Sequence, residues 1–245
     1  MIKPLILTLQ LLTRIPVPIK IEVTEAQLGR SALFYPVVGL LLGALIYFVA
    51  WVLPEQNTLL NAALLTTLWI GLTGALHIDG LADSADAWVG GMGDSQRTLD
   101  IMKDPNCGPM GVTTILVVVL LKFTALYTLL QQGHLLPLLL IPMLGRAQIL
   151  LLLLTTPYVR KQGMGSDLAM YLPRTLAWLV LLISFLGWGY FMQQSGLIVL
   201  LTLLLMFVLF RQVLMRRIGG TTGDTIGALV ELSELVLLIG VVMFL

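Results

Sequence analysis

The sequence predicts an all-α fold, a polytopic membrane helical bundle of about seven transmembrane helices plus an amino-terminal interfacial helix. Three observations predict it. The chain is 58% hydrophobic and 11% charged, whereas a soluble domain carries about 25% charged residues. Several apolar runs approach the ~20 residues that span a bilayer. Finally, Lys and Arg concentrate in every second connection between these runs, which is typical of multi-pass proteins.

The apolar runs predict the elements in order. The stretch at residues 5–12 is short and is followed by Arg14 and Pro16, so residues 1–32 read as an interfacial segment on the membrane surface. Residues 33–245 read as the transmembrane bundle, and residues 1–245 as a single integral membrane catalytic domain. We expect the spans at residues 33–53, 59–77, 112–130, 136–155, 176–193, 196–214 and 226–245.

The distribution of basic residues predicts the orientation. All but two of the 14 Lys and Arg residues lie in the amino-terminal segment or in the connections 78–111, 156–175 and 211–225. The positive-inside rule places these parts in the cytoplasm. The remaining two, Lys122 and Arg146, fall within predicted spans, where each should pair with a buried acid or an anionic substrate group, or snorkel to the interface.

A first acidic motif follows the second apolar run. Asp79, Asp83 and Asp86 share one face if the segment is helical, because they are spaced at i, i+4 and i+7. Three ionised carboxylates so close together repel one another, and a divalent cation or partial protonation would offset that repulsion. A solvated helix cap is the alternative. His77, just before them, is either a group that supports a ligand or an ordinary interfacial histidine.

A second acidic motif opens the last apolar run. Asp224, Glu231 and Glu234 also share a helical face, and the glycines before Asp224 suit a loop whose backbone amides approach an anion. Parity of the spans places this motif on the same side of the membrane as the first, so the two could meet. The candidate anion-binding residues of this loop are Gly219, Gly220, Thr222 and Gly223.

Residues 102–111 form a third element. Asp104 could supply or orient a metal ligand, and Lys103 could meet a phosphate group; a solvated turn explains both residues equally well.

Hard oxygen ligands favour Mg²⁺ or Mn²⁺, and two such ions can clamp a pyrophosphate. The residues therefore favour phosphoryl transfer from a nucleotide-activated donor. An ion transporter with an acidic gate is the rival, but its acids should lie near the midplane on broken helices, whereas here we expect them at helix ends.

The motif His77-x-Asp79-Gly80-Leu81-Ala82-Asp83-x-x-Asp86, together with Gly219-Gly220-x-Thr222-Gly223-Asp224-x-x-Gly227-Ala228-x-x-Glu231-x-x-Glu234, resembles the cobalamin synthase (adenosylcobinamide-GDP ribazoletransferase) family. Lesser motifs at residues 13–18, 36–39 and 102–111 follow the family's order, so the resemblance covers essentially the whole chain. CDP-alcohol phosphatidyltransferases are the runner-up, but their motif has arginine where this chain has Asp83.

The resemblance implies an Mg²⁺-dependent enzyme of the bacterial inner membrane with its active site facing the cytoplasm. Its small-molecule substrates would be adenosylcobinamide-GDP and α-ribazole or α-ribazole 5′-phosphate, and it would release GMP. We expect contact with membrane lipid and no nucleic-acid partner; whether the chain forms a homo-oligomer stays open.

The expected catalytic residues are Asp83, Asp86, Lys103, Asp104 and Arg146. Substrate binding is expected at His77, Gly219, Gly220, Thr222 and Gly223. The expected metal ligands are Asp79, Asp83, Asp86, Asp224, Glu231 and Glu234.

Overall fold

A computed structural model describes residues 2–19 and 22–244, apart from the side chains at positions 194 and 195, and this part of the chain is α-helical with no β-strand. The helices, in order, are α1 (Ile2–Leu12), α2 (Glu25–Ser31), α3 (Tyr35–Val52), α4 (Thr58–Thr73), α5 (Leu76–Gly90), α6 (Ser95–Ile101), α7 (Pro109–Gln131), α8 (Leu136–Thr155), α9 (Met164–Met170), α10 (Arg174–Ile218) and α11 (Gly223–Phe244).

The predicted membrane bundle is confirmed. Within the described residues, 6 helices are long and apolar enough to cross a membrane, and a bent pair raises the number to 7. The helix α10 is two of these spans joined end to end at Gln193, whose φ of 51° and ψ of −138° are not helical. The sequence places the same boundary between its fifth and sixth predicted spans.

The first span begins earlier than the apolar run suggests. Thr24 caps α2, because its hydroxyl accepts from the backbone N–H of Gln27 while the Gln27 side chain accepts from the Thr24 N–H. This capping box starts the helix at Glu25, and a 3₁₀ turn then leads into α3, so that Glu25–Val52 forms one candidate span. The segment predicted to lie on the surface up to residue 32 therefore contributes the start of this span. Helix α1 does form over the short apolar stretch, as predicted.

The second predicted span is shorter than expected. It ends at Thr73, because Gly74 and Ala75 both adopt left-handed backbone angles, with φ of 61° and 58°. The chain then turns by 87° into α5. The first acidic motif therefore lies on a helix of its own outside the six spans, and the connection expected at residues 78–111 is largely helical.

Helix α8 forms the centre of the bundle. It is the most thoroughly buried of the candidate spans, and it packs against α3, α10 and α11. Pro142 lies inside it. The outer faces of the surrounding helices carry exposed apolar side chains such as Phe48, Leu116 and Ile183, as lipid contact requires.

Helices α5 and α11 pack against each other through glycines. A side chain at Gly80 would come within 2.6 Å of the backbone oxygen of Asp224 and 3.0 Å of its Cα. On the other helix, a side chain at Gly227 would come within 3.4 Å of the Gly80 Cα and 3.3 Å of the His77 Cα. Only glycine allows the two backbones to approach this closely.

We expect Gly80→Ala to push α5 away from α11. The methyl group of the introduced alanine has no space, and overpacking of this kind lowers the free energy of unfolding by about 1–3 kcal/mol. Thermal unfolding in lipid nanodiscs should show a lower midpoint, with a loss of enzymatic activity.

Gly71→Ala on α4 is the matched control, since nothing lies within 4 Å of an added Cβ there. Equal midpoints for the two variants would show that the close contact at Gly80 is not needed.

Candidate active site

The packing of α5 on α11 brings Asp224, the first residue of the second acidic motif, to the aspartates of the first motif, on the side that the parity of the spans predicts. Asp79, Asp83 and Asp86 lie on α5, and Asp224 lies at the start of α11. We call these four residues the acidic face. Asp79 is exposed, and the other three are half-buried. Desolvation, followed by the negative charges of the other three aspartates, raises the pKa of Asp83 to about 6. The four carboxylates therefore repel one another and favour a cation.

Asp86 has a defined structural partner. Its carboxylate accepts from the backbone N–H of Gly108 at 2.6 Å and of Gly111 at 2.9 Å. These amides lie at the amino terminus of α7, where the helix dipole favours a negative charge. A Cβ at either glycine would collide with the carboxylate. The interaction joins α5 to α7 and fixes the orientation of the Asp86 side chain.

The glycine-rich loop before α11 is mainly structural. Gly219 ends α10 in a left-handed conformation, with φ of 73°. Gly220 passes close to Pro157, because Thr221 forms an isolated parallel bridge with Tyr158. Gly219 and Gly220 therefore have structural roles in this loop, and their part in substrate binding stays a prediction.

Thr222 and Gly223 complete the loop. The Thr222 hydroxyl accepts from the Thr225 N–H at 3.3 Å, and the Thr225 hydroxyl accepts from the Thr222 N–H at 2.9 Å, so the two threonines cap α11 reciprocally. Thr222 is fully buried, whereas Gly223 is exposed. Of the four predicted anion-binding residues, Gly219 and Gly223 are exposed, whereas Gly220 and Thr222 are buried.

Arg160 is a site residue that the sequence did not single out. Its Nη2 lies 2.7 Å from Oδ2 of Asp224, and both side chains are partly exposed. The bridge between Tyr158 and Thr221 brings Arg160 to this position. The available signal was the basic pair Arg160-Lys161 in a connection that the sequence predicts to be cytoplasmic, but nothing in the sequence identifies Asp224 as the partner of Arg160.

A second group of charges lies inside the bundle. Lys122 Nζ is 2.6 Å from Oε2 of Glu231 and 2.6 Å from Oε2 of Glu234, and Arg146 pairs with Glu234 through Nη1. All four side chains are buried, and Lys122 also lies 5.2 Å from the ring centroid of Trp69. We call Lys122, Arg146, Glu231 and Glu234 the buried charge network. Its two cations balance its two anions.

This network bears on three expectations. Glu231 and Glu234 were expected at a helix end, but they lie about two and three turns inside α11. They were also expected to need a metal for charge balance, but Lys122 and Arg146 already neutralise them. Arg146 was expected to be catalytic; it is fully buried and contacts Glu234 rather than the acidic face.

Lys103 and Asp104 are exposed. Asp104 accepts from the backbone and side-chain N–H groups of Asn106 at 3.0 and 2.7 Å, which is the solvated turn that we considered as the alternative. Lys103 takes part in none of the ion pairs formed by the described residues.

A cavity of about 270 Å³ adjoins the acidic face. Asp79 and Asp224 form part of its wall, as do His77, Tyr158 and Gly223. Burial raises the pKa of the Tyr158 hydroxyl, and this oxygen accepts a hydrogen bond from the Gly223 backbone.

The donor set of the acidic face agrees with Mg²⁺. Across residues 2–19 and 22–244, no group of three or more His, Cys, Asp or Glu side chains is placed to hold one metal ion. A cage of protein ligands is therefore not preformed. Mg²⁺ does not require one, because it commonly binds one or two carboxylates and completes its shell with water and substrate phosphates.

The chain is similar to known proteins over almost its whole length. The family model described as Cobalamin-5-phosphate synthase matches residues 4–242. A relative from Stutzerimonas stutzeri is 51% identical over 97% of this chain and 96% of its own length. A relative from Acinetobacter baumannii is 48% identical over 96% and 95%, and one from Pseudomonas aeruginosa is 51% identical over 97% of both. All three carry the name adenosylcobinamide-GDP ribazoletransferase. No solved structure matches the chain.

The buried charge network predicts a strong effect of removing one partner. Lys122→Met leaves two carboxylates with only Arg146, and uncompensated buried charge costs about 3–5 kcal/mol. The free energy of unfolding should fall by that order, and Glu231→Gln added to Lys122→Met should recover part of the loss.

Lys161→Met removes the same type of charge from an exposed position and serves as control. If Lys122→Met were as stable as Lys161→Met, the ion pairs would have no structural role.

Proposed function

We propose a reaction for this chain from an established premise: it belongs to the Cobalamin-5-phosphate synthase family. On this basis the chain is an adenosylcobinamide-GDP ribazoletransferase. It transfers the adenosylcobinamide-phosphate group from adenosylcobinamide-GDP to α-ribazole or α-ribazole 5′-phosphate. The observation that supports the proposal is the contact between α5 and α11, which brings Asp224 of the second acidic motif to the three aspartates of the first, on a partly exposed face beside a cavity.

The reaction is a single phosphoryl transfer. The 3′-hydroxyl oxygen of the ribazole forms a bond to the phosphorus that carries the corrinoid arm, and the bond from that phosphorus to the bridging oxygen breaks. The bridging oxygen leaves with GMP, and the proton of the hydroxyl passes to a base or to water. The products are GMP and adenosylcobalamin or its 5′-phosphate. The acceptor hydroxyl must therefore lie in line with the bridging oxygen.

Mg²⁺ or Mn²⁺ is the proposed cofactor, and Asp79, Asp83, Asp86 and Asp224 are the candidate ligands, of which one or two would bind each ion together with water and substrate phosphates. When bound, the metal neutralises the charge that develops on the transferred and leaving phosphates. Asp86 would act as a metal ligand in the orientation that the backbone amides of Gly108 and Gly111 already fix. Glu231 and Glu234, also predicted as ligands, remain in this proposal with the cations of the buried charge network and hold α11 in place.

Arg160 positions Asp224 in this scheme. Its guanidinium shields one carboxylate of a strongly acidic face, so that an anionic pyrophosphate meets less repulsion when it approaches. The proposal places this face on the cytoplasmic side of a bacterial inner membrane. The basic residues near it support that placement, because Arg14, Arg160 and Arg217 contact the ends of helices at the same end of the bundle as the acidic face.

Asp83→Asn should abolish most of the activity while the protein still folds. The amide keeps the shape of the side chain and removes one charge, and loss of one electrostatic contribution to a transition state commonly costs ~10²–10³-fold in rate. GMP release from adenosylcobinamide-GDP, with α-ribazole as acceptor, measures the effect. A CDP-activated lipid with a free alcohol, assayed in parallel, tests the runner-up activity.

Asp94→Asn is the matched control. It removes the same charge from the exposed cap of α6, where asparagine caps a helix as well as aspartate does. A rate for Asp83→Asn equal to that of Asp94→Asn at limiting Mg²⁺ would refute the ligand role of Asp83.

Cysteine labelling tests the orientation. In a Cys107→Ser background, Ser95→Cys and Gln162→Cys should react with a membrane-impermeant thiol reagent only in inverted vesicles. Gln132→Cys, at the other end of α7, should react only in intact cells. All three positions are exposed. Labelling of position 95 or 162 from outside intact cells would contradict the cytoplasmic placement.

A further inference from the structure

The cavity beside the acidic face has two different walls. Leu11, Leu12, Ile149 and Leu168 contribute apolar lining, and all but the partly buried Leu11 belong to the buried core. Asp79 and Asp224 contribute polar lining and join the cavity to the acidic face. A ligand that fits both walls must have an apolar body and a polar end.

His77 lines the cavity and carries a buried polar atom that has no partner among the described residues. The residue is 3% exposed, and the atom is its Nδ1. An unpaired buried polar atom costs about 1–3 kcal/mol relative to a paired one, so a ligand atom that pairs with Nδ1 would be favoured. The hydroxyl of Tyr158, which also lines the cavity, can donate its own proton because it uses its oxygen to accept from Gly223.

We propose that this cavity is the acceptor site and binds α-ribazole, with the apolar benzimidazole base against the leucine wall and the ribose toward Asp79 and Asp224. This inference rests on the proposed function and deepens it. The base is flat and apolar, and its burial is driven by the hydrophobic effect. The ribose hydroxyls offer partners to His77 Nδ1 and to the Tyr158 hydroxyl. The reacting hydroxyl then lies beside the acidic face.

The size of the cavity indicates which of the two substrates it can hold. Its volume of about 270 Å³ is close to the lower end of ligand pockets, which begin at about 300 Å³. A nucleoside fits such a space, whereas a corrinoid macrocycle with its attached nucleotide does not. The donor must therefore approach from the open side of the acidic face, which is also the side that an in-line transfer requires.

The polar atoms in the wall argue against other occupants. A lipid acyl chain would offer no hydrogen-bond partner to His77 Nδ1, to the Tyr158 hydroxyl proton or to the Asp79 carboxylate. The guanosine of the donor has several polar edge atoms that the leucine wall cannot pair. A benzimidazole nucleoside satisfies both walls.

Met164→Trp tests the acceptor site. Met164 lines the cavity but is 54% exposed, so a larger side chain there can enter the cavity without disturbing the core. Met170→Trp, on the same helix α9, is 75% exposed, does not line the cavity and serves as control. Leu76→Trp, 41% exposed and also lining, is a second filling variant. All variants are full-length protein in lipid nanodiscs.

The expected signature is specific to the acceptor. In Met164→Trp and Leu76→Trp, the KM for α-ribazole should rise about tenfold or more, while the KM for adenosylcobinamide-GDP stays within about twofold. The dissociation constant of α-ribazole, measured by calorimetry without donor, should rise by the same factor. Met170→Trp should behave as the unsubstituted chain in each measurement.

Three results would overturn the inference. One is an unchanged KM and dissociation constant for α-ribazole in both filling variants. Another is a rise in the KM of the donor instead, which would place the guanosine in the cavity. The third is a change only in the dependence of the rate on lipid, which would place an acyl chain there. The proposed function stands in all three cases; it fails separately if the unsubstituted chain releases no GMP.

Discussion

The close approach of α5 and α11 is the constraint on which the rest of the site depends. Gly80 leaves so little space beside the Asp224 backbone that the two helices contact through their main chains. That contact places Asp224 among the aspartates of α5, although the two motifs are far apart in sequence. It also forms one side of the cavity, since Gly80 and Gly227 both line it. A bulkier residue at Gly80 would separate the acidic motifs and open the cavity together.

The acidic residues of α11 lie in two different environments. Asp224, at its start, belongs to the partly exposed acidic face and pairs with Arg160. Glu231 and Glu234, deeper in the bundle, are neutralised by Lys122 and Arg146. One helix therefore links an unbalanced surface site, which favours a cation, to a balanced interior network. The interior pairs join α11 to α7 and α8 and thereby define the rotation at which α11 presents Asp224.

Much of this arrangement could be predicted from the sequence. Apolar runs locate the spans, and the parity of the spans brings both acidic motifs to one side. The turn into α5 was not predictable from the apolar pattern, because Ala75 adopts a left-handed conformation that its residue type does not favour. Pairing with a buried acid was among the expectations for Lys122 and Arg146, but the sequence did not identify Glu231 and Glu234 as those acids. Which buried acid meets Lys122 or Arg146 depends on how three helices rotate against one another, and periodicity on a single helix does not contain that information.

The most direct test measures metal binding in two sets of variants, one that alters the acidic face and one that alters the buried charge network. Calorimetric titration of Mn²⁺ into the nanodisc-embedded protein would compare the unsubstituted chain with Asp79→Asn/Asp83→Asn and with Lys122→Met/Glu231→Gln. Our account predicts that the first double variant loses Mn²⁺ binding and that the second, if folded, retains it with similar affinity. Retention of binding by the first and loss by the folded second would show that the metal belongs to Glu231 and its neighbours, and would contradict the account.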